Sequence, residues 1–228
     1  MKKGLLIVVD GIDGSGKTTQ INLLAKSFKE QKIPFEVISF PRYKDNEYGR
    51  LIKSYLEGEF GSISETDPYK IACLFAGDRV LAKLMIKKWL AEGKTVIANR
   101  YVSASKAHMG ANLSEGKRAE FIKWLDELEY KTNGLPKEDL TILLKIDPEV
   151  GRRNVLGPPA VLCRAMRAGR HKDIHEDNLK HQEEAGRIYL AMSKKEKNWY
   201  VVDCMQDGNL KSPEDISEEI LNILKRII

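Results

Sequence analysis

Short apolar runs alternate along the chain with longer stretches whose apolar residues recur every three to four positions. The runs Leu5–Val9, Phe35–Phe40, Thr95–Ala98, Leu140–Ile146 and Trp199–Val202 are bounded by turn residues and read as buried strands. Between them the periodicity predicts helices over Lys17–Gln31, Asn46–Leu56, Pro68–Ala91, Glu115–Tyr130, His175–Lys194 and Pro213–Ile227. In the longest of these, Ile71, Leu74, Phe75, Val80, Leu84 and Leu90 fall near the 3.6-residue period and are expected to form its core face. Strands alternating with helices predict βαβ units, hence an α/β fold whose five-stranded parallel sheet is covered by helices on both faces. Two segments break the rhythm. Lys131–Asp139, with Asn133-Gly134 and Pro136, reads as a loop. Gly151–Lys172 carries Gly157-Pro158-Pro159 and five arginines from Arg152 to Arg170 without an apolar face, and reads as a lid or a disordered loop. No repeat, low-complexity tract or linker divides the chain, so residues 1–228 are expected to form one domain with the lid at about 151–172.

Composition narrows the class. Hydrophobic residues make up 42% and charged residues 31% of 228 positions, which is globular rather than disordered, and a chain of this length buries a core without disulfides or metal. The net charge of +5 is spread along the chain, so nucleic-acid binding is not demanded and anionic small molecules suffice as partners. Cys73, Cys163 and Cys204 are isolated and odd in number, which fits reduced thiols better than a disulfide framework or a zinc site. The apolar run after Met1-Lys2-Lys3 ends at Asp10, too short for a signal segment, and no stretch reaches membrane-spanning length. The expectation is a soluble cytoplasmic protein.

The strongest chemical signal is Gly11-Ile12-Asp13-Gly14-Ser15-Gly16-Lys17-Thr18, which satisfies G-x-x-x-x-G-K-[ST] between an apolar strand and a helical stretch. Glycines let backbone N–H groups turn inward around phosphate oxygens, and the positive end of the following helix adds to the field. ATP would therefore lie on Gly11, Ile12, Asp13, Gly14, Ser15, Gly16, Lys17, Thr18 and Thr19, with Lys17 on the β- and γ-phosphates and the Thr18 hydroxyl on Mg²⁺. The chain lacks an N-K-x-D guanine-reading tetrapeptide and an apolar strand ending in Asp-Glu, which leaves a small-molecule kinase with a P-loop fold.

Further candidates line up at the predicted ligand edge of the sheet. Asp13 could accept a hydrogen bond from a sugar hydroxyl, help hold Mg²⁺, or merely brace its own turn. Phe40-Pro41-Arg42-Tyr43 follows the second strand, and an arginine there suits a monophosphate. Phe75 and Arg79 are four apart and share a helix face, where the ring could stack a base and the guanidinium meet a phosphate or a base edge. Asn99-Arg100-Tyr101 follows the third strand.

Together these pieces resemble the thymidylate kinase family. The matching stretches are Asp10 to Gln20, Phe40-Pro41-Arg42-Tyr43, Leu74 to Arg79, Asn99-Arg100-Tyr101-Val102, Gly134-Leu135-Pro136-Lys137, Asp147-Pro148-Glu149 and Asp173-Ile174-His175-Glu176, in the family's order from residue 5 to about 200. The resemblance implies phosphoryl transfer from ATP to dTMP, with Asp13 meeting the sugar 3′-hydroxyl, Phe75 stacked on thymine and Arg79 on the base. It implies that Arg42 and Arg100 clamp the monophosphate, that Phe40, Ser105 and His108 face the acceptor, and that Asp173 and Glu176 close near the sugar and the metal. Gly14 stands where some members carry a catalytic arginine, so the resemblance assigns that role to the lid, to Arg164, Arg167 or Arg170. It also implies a homodimer. The chain departs from the pattern at Asn99, where aspartate is usual, at His108 and His175, where tyrosine or another aromatic is common, and at Ser105, often an amide. Mg²⁺ handling would then rest on Asp10 and Thr18 together with Asp13. The departures leave two alternatives, a kinase of other or several deoxynucleoside monophosphates and a nucleotide-binding regulatory module without turnover.

Overall fold

A computed structural model describes residues 4–156, 173–176 and 178–227. Five strands, β1 (Leu6–Asp10), β2 (Phe35–Ser39), β3 (Thr95–Asn99), β4 (Leu140–Lys145) and β5 (Trp199–Asp203), pair in parallel in the order β2-β3-β1-β4-β5. Alternation sends successive side chains of β1 to opposite faces. Leu6 and Val8 join Val96 and Ala98 in one core layer, while Ile7 and Val9 join Ile97, Ile142 and Leu144 in the other. The first layer is closed by α2 (Glu47–Leu56), α3 (Pro68–Ala91), α4 (Val102–Gly110) and α5 (Glu115–Asp126) through Ile52, Tyr55, Ala72, Ile86, Met109 and Phe121. The second is closed by α1 (Lys17–Glu30) and α8 (Pro213–Leu224), through Ile21, Leu24, Phe28, Ile216 and Ile220. Each such fully buried aliphatic or aromatic side chain is worth roughly 1.5–3 kcal/mol, which explains why a sheet so exposed to apolar contact on both faces needs no further staple. Two more helices, α6 (Pro148–Leu156) and α7 (Leu179–Ser193), complete the ligand edge, where Ile12, Leu143, Ala185 and Tyr189 form a third apolar cluster.

The structure departs from the pattern-based expectation in five places. Helix α4 was not predicted, because all nine of its residues are buried and a helix buried all round has no amphipathic stripe. The stretch read as one helix to Tyr130 leaves α-geometry after Asp126 and passes into a π-helical turn, Glu127–Thr132, which buries Glu129. The segment assigned to the lid begins as helix, since residues 151–156 belong to α6, whereas 157–172, with Cys163, Arg164, Arg167 and Arg170, lie outside the described residues. The helix expected from His175 starts at Leu179, capped by Asn178, and residues 174–176 form a turn. On α3, Leu84 is 76% exposed and so is no core residue; Ala76, Ala82 and Ile86 occupy the inner face instead. A small hairpin, β6 (Met205–Gln206) and β7 (Asn209–Leu210), turns through Asp207 and Gly208, both with positive φ.

Candidate active site

In a doubly wound sheet the crevice lies where connections diverge, at the C-terminal ends of the strands on either side of the central one. Here that point is the end of β1, flanked by β3 and β4, and a cavity of about 910 Å³ opens there. One wall is the loop and first turn from Asp13 to Gln20; the opposite wall carries Phe40, Phe75, Arg79, Arg100, Ser105 and His108, and Asp173, His175 and Glu176 close the side.

The first wall is made largely of backbone. Gly14 and Gly16 have φ of 74° and 85°, and Gly16 caps α1, whose first turn holds no acidic residue, so its positive end faces the cavity unneutralised. A Cβ on Gly14 would run into the Gly151 carbonyl of α6, so this position accepts no side chain, arginine included, as the loop stands. Lys17 is buried, and its ammonium donates to the carbonyls of Gly11 (3.1 Å) and Ile12 (2.8 Å). Burial first, then the Arg100 charge, pull its pKa down to about 7. Beyond the loop the wall continues through Arg153, Asn154 and Val155 of α6 and through Leu210, Lys211, Pro213 and Ile216. Asn154 donates to the Gly14 carbonyl at 3.0 Å.

Asp13 and Arg100 form the hinge between the two walls. Arg100 follows β3 with φ 63°, a left-handed conformation that costs a non-glycine residue about 1 kcal/mol or more and recurs at functional sites. Its backbone N–H holds the Val9 carbonyl at 3.1 Å, and its guanidinium pairs with the Asp13 carboxylate and donates to His108 Nε2 at 3.0 Å. Gln182 of α7 grips Asp13 from the other side, its Nε2 donating to Oδ2 at 2.7 Å and its Oε1 accepting from the Asp13 N–H at 3.0 Å. Burial alone would raise the Asp13 pKa, but Arg100, with Lys17 and the Gln182 hydrogen bond, holds it far below the carboxylate range. Burial, with Asp13 nearby, pushes Asp173 up to about 7, and among the described residues no cation pairs with it.

The second wall is made of side chains, and its most buried cation has a buried partner. Arg79 is 1% exposed and forms an ion pair with Glu129, donates to Ser105 Oγ at 2.8 Å and to the Tyr101 carbonyl at 3.2 Å. Phe75, four residues earlier, is half-buried on the same lining, as their spacing predicts. Arg42 differs. It stands off the cavity lining because Asp78, itself 1% exposed, takes its Nε at 2.9 Å and its backbone N–H at 2.8 Å, with Asn46 Nδ2 on the same carboxylate at 2.7 Å.

Asp10 does not reach the cavity either. Its Oδ1 accepts from the Gly11 N–H (3.0 Å) and the Tyr189 hydroxyl (2.6 Å) and lies 4.0 Å from the Arg100 guanidinium, and its Oδ2 accepts from Ser103 (2.6 Å), so both oxygens are engaged beneath the loop. Gly11 and Ile12 likewise support the loop from below, and the Asp13, Gly14, Ser15, Gly16, Lys17, Thr18 and Thr19 positions line the cavity. Thr18 is exposed at the start of α1, and Asn99 Oδ1 is buried at the lining without a hydrogen-bond partner among the described residues. Sequence reading missed Asp78, Glu129 and Gln182. Asp78 adjoins Arg79 and lay within a quoted stretch, whereas nothing in the local pattern sets Glu129 or Gln182 apart from solvated helix residues.

Comparison with known proteins identifies the family of the whole chain. The family model described as thymidylate kinase matches residues 9–220. Thymidylate kinase of Mycobacterium tuberculosis is 31% identical over 190 residues, 83% of this chain and 86% of that one. A probable thymidylate kinase of Pyrobaculum aerophilum is 33% identical over 224 residues, 97% of each chain, and the Homo sapiens thymidylate kinase is 28% identical over 220 residues, 96% of this chain and 89% of that one. Among solved structures, thymidylate kinase from Candida albicans superposes with a TM-score of 0.74 at 22% identity, covering 98% of this chain and 92% of that one, and shares the fold.

Proposed function

Because the chain belongs to the thymidylate kinase family, we propose that it transfers the γ-phosphoryl group of ATP to dTMP, giving ADP and dTDP. It is a nucleoside monophosphate kinase, a transferase. The observation that carries the specific reading is that one cavity holds Lys17 with its loop at one end and the Phe75–Arg79 pair at the other, joined by Asp13 and Arg100. An acceptor phosphate is already anionic near neutral pH and needs no strong base, so these residues act by positioning and by neutralising charge. Lys17 and the N-terminus of α1 take the donor phosphates, and Leu210, Pro213 and Ile216 offer an apolar floor to the adenine beside them. Arg100, braced by Asp13, takes the acceptor phosphate; Arg42 assists from its Asp78 mount. Phe75 stacks the base and Arg79 addresses its edge, while Asp13, Asp173 and Glu176 surround the sugar. Mg²⁺ fits this donor set: the exposed Thr18 hydroxyl would hold it, and the orphaned Asn99 oxygen would hold one of its waters. When bound, the ion supplies charge neutralisation on the transferring phosphates. A lid arginine, Arg164, Arg167 or Arg170, adds a guanidinium there, since Gly14 leaves no room for one on the loop.

The same reading includes a homodimer. Tyr48, Leu81, Leu84 and Met85 leave an exposed apolar face on α2 and α3, at 38%, 55%, 76% and 37%, which supports a second copy packing there. A cytoplasmic setting suits the free thiol of Cys73 and the supply of ATP; among the described residues no helix is long and apolar enough to cross a membrane.

One observation favours a second reading with several deoxynucleotide acceptors. The Ser105 oxygen already accepts from Arg79, which leaves the base one O–H and one lone pair from that residue, too little to read a base edge on its own. A panel of nucleoside monophosphates with coupled ADP detection decides between them. The expected result is a kcat/KM for dTMP at least about tenfold above dCMP, dGMP and dAMP. Equal rates on dTMP and dCMP would defeat the thymidylate reading, and ATP binding without transfer to any acceptor would defeat the kinase reading.

A further inference from the structure

Three of the four histidines in the chain converge beside the acceptor wall. His108 comes from α4, His175 from the turn before α7, and His181 from α7; they are 6%, 5% and 5% exposed, and one ring nitrogen of each falls within 4.8 Å of the others. Their ring centroids lie 4.3 to 5.8 Å apart. Nothing in the phosphoryl-transfer mechanism requires three imidazoles in contact.

Hydrogen bonds settle the protonation of two of them. Arginine can only donate, so His108 Nε2 accepts from Arg100 at 3.0 Å and the proton of the neutral ring sits on Nδ1. That Nδ1–H points at His181 Nε2, 3.2 Å away, which therefore presents a lone pair, and His181 Nδ1–H donates to Asn112 Oδ1 at 2.9 Å. Burial keeps His108 and His175 well below the ordinary histidine value and His181 at about 4, so the cluster is uncharged near neutral pH. His175 has its Nε2 on the Tyr55 hydroxyl at 2.7 Å, and Nδ1 is its other ligand atom.

Each ring is thus anchored at one nitrogen by a partner from another element, with its second nitrogen available to the cluster, as metal-bound imidazoles are anchored. Two nitrogens on one tetrahedral zinc at about 2.05 Å stand about 3.3 Å apart, close to the His108–His181 separation. We propose that His108, His175 and His181 form a site for a borderline divalent transition metal ion such as Zn²⁺, and that the ion competes with Arg100 for His108. Neutral imidazole suits Zn²⁺, Co²⁺ or Ni²⁺ rather than Mg²⁺. His108 and His175 also line the cavity, which gives the ion an entry path and would let a water take the fourth position. The ion would take the lone pair of Nδ1, and the neutral ring would then carry its proton on Nε2, aimed at an Arg100 N–H. Donor meets donor, and a dication beside the guanidinium adds repulsion, so Arg100 gives up His108 and the acceptor-phosphate clamp loosens.

The binding step stands on imidazole geometry alone; its effect on turnover rests on the role of Arg100 proposed above. The test begins with Co²⁺ alone added to the chelator-treated full chain. Expected are the visible absorption bands of four-coordinate Co²⁺, saturating at one ion per chain and bleached by Zn²⁺. His181→Leu should abolish the bands with the fold and metal-free turnover kept, and Asn112→Leu, which removes the anchor of His181 and a neighbour of Tyr55 but no ligand, should weaken binding roughly 10–100-fold. A spectrum that stays that of the aqueous ion in the unmodified chain, or bands unchanged in His181→Leu, would overturn the site. If His181→Leu does not fold, Asn112→Leu carries the test, and undiminished affinity in it overturns the assignment. In steady-state assays at saturating Mg²⁺ and ATP, Zn²⁺ should raise KM for the acceptor roughly tenfold in the unmodified chain and not in His181→Leu. A filled cobalt site with KM unmoved would refute the competition with Arg100. A different best acceptor in the panel would leave the spectral titration untouched, so the two readings fail separately.

Discussion

The two walls of the cavity are built on different principles. The donor wall is built mainly on eight consecutive residues, Asp13 to Gln20, whose chemistry resides in backbone N–H groups, glycine conformations, a helix terminus and one lysine. The acceptor wall draws side chains from the ends of β2 and β3 and from α3 and α4, and the charged groups in and around it are held by partners distant in sequence: Arg79 by Glu129, Arg42 behind the wall by Asp78, and Asp13 at the seam by Gln182. A backbone-built wall fails when a side chain is added or its one charge removed. A side-chain-built wall fails when a partner is removed, even one that touches no substrate.

The largest effect expected is on the donor wall. Lys17→Met should cut phosphoryl transfer by about 10²–10³-fold or more, the size of losing a preorganised charge at the transferring group. It should not destabilise the fold. The folded pKa of Lys17 is about 7 against an ordinary 10.5, so between those values the unfolded chain binds more protons and stability rises with pH. Burying the cation is therefore a cost that is full below pH 7 and fades toward 10.5. A methionine removes it, and thermal unfolding at pH 6–7 should show a Tm equal to or above that of the unmodified chain, with the difference shrinking at alkaline pH. Turnover surviving in this variant would remove Lys17 from the mechanism.

Next in size is Glu129→Gln on the acceptor wall. Both partners are buried, at 1% and 0% side-chain exposure, and removing one charge leaves the other uncompensated, worth about 3–5 kcal/mol in stability. Urea unfolding measures it. The comparison is sharpened if KM for the acceptor rises while KM for ATP stays, because Arg79 then drifts from the base without disturbing the phosphate loop. Equal changes in both would mean the walls are not separable.

These two residues also mark what was legible beforehand. Lys17 is read from eight letters because the loop's geometry is local, and the strand positions were read to within a residue or two because period-two and 3.6-residue patterns report burial directly. Arg79, Phe75 and Ser105 were legible as candidates through spacing and family likeness. Glu129 was not, because its inward aim depends on the π-turn after Asp126, and a one-residue change of helical phase leaves no trace in hydrophobic periodicity. Helix α4 escaped for the complementary reason that it has no polar face. The carboxylate that holds Arg42, Asp78, sits one residue from Arg79 and was read only as part of a motif.

Gly14→Ala tests the backbone wall by addition. The new methyl would meet the Gly151 carbonyl and hold alanine at φ 74°, a strain of about 1–3 kcal/mol. KM for ATP should rise with little change for the acceptor, the inverse of Glu129→Gln. An alanine tolerated without loss would mean that α6 yields easily at Gly151, and the argument against a loop arginine would weaken with it.

The smallest effect is expected at the seam. Gln182 bonds both the N–H and the carboxylate of Asp13 and also donates to the His175 carbonyl at 2.9 Å, but Asp13 retains Arg100 whatever happens to Gln182. Gln182→Leu, similar in volume, should therefore lower kcat only about tenfold, the value of one hydrogen bond to a charged group, with the nucleotide KM values nearly constant. Gln182→Glu should do worse, because it sets a second carboxylate against Asp13 and diverts Arg100 from the acceptor. Should the leucine variant match the unmodified chain while the glutamate variant fails, Arg100 alone orients Asp13 and α7 contributes only the absence of negative charge. If both fail alike, the amide itself is the brace, and the two walls meet through a side chain that neither motif contains.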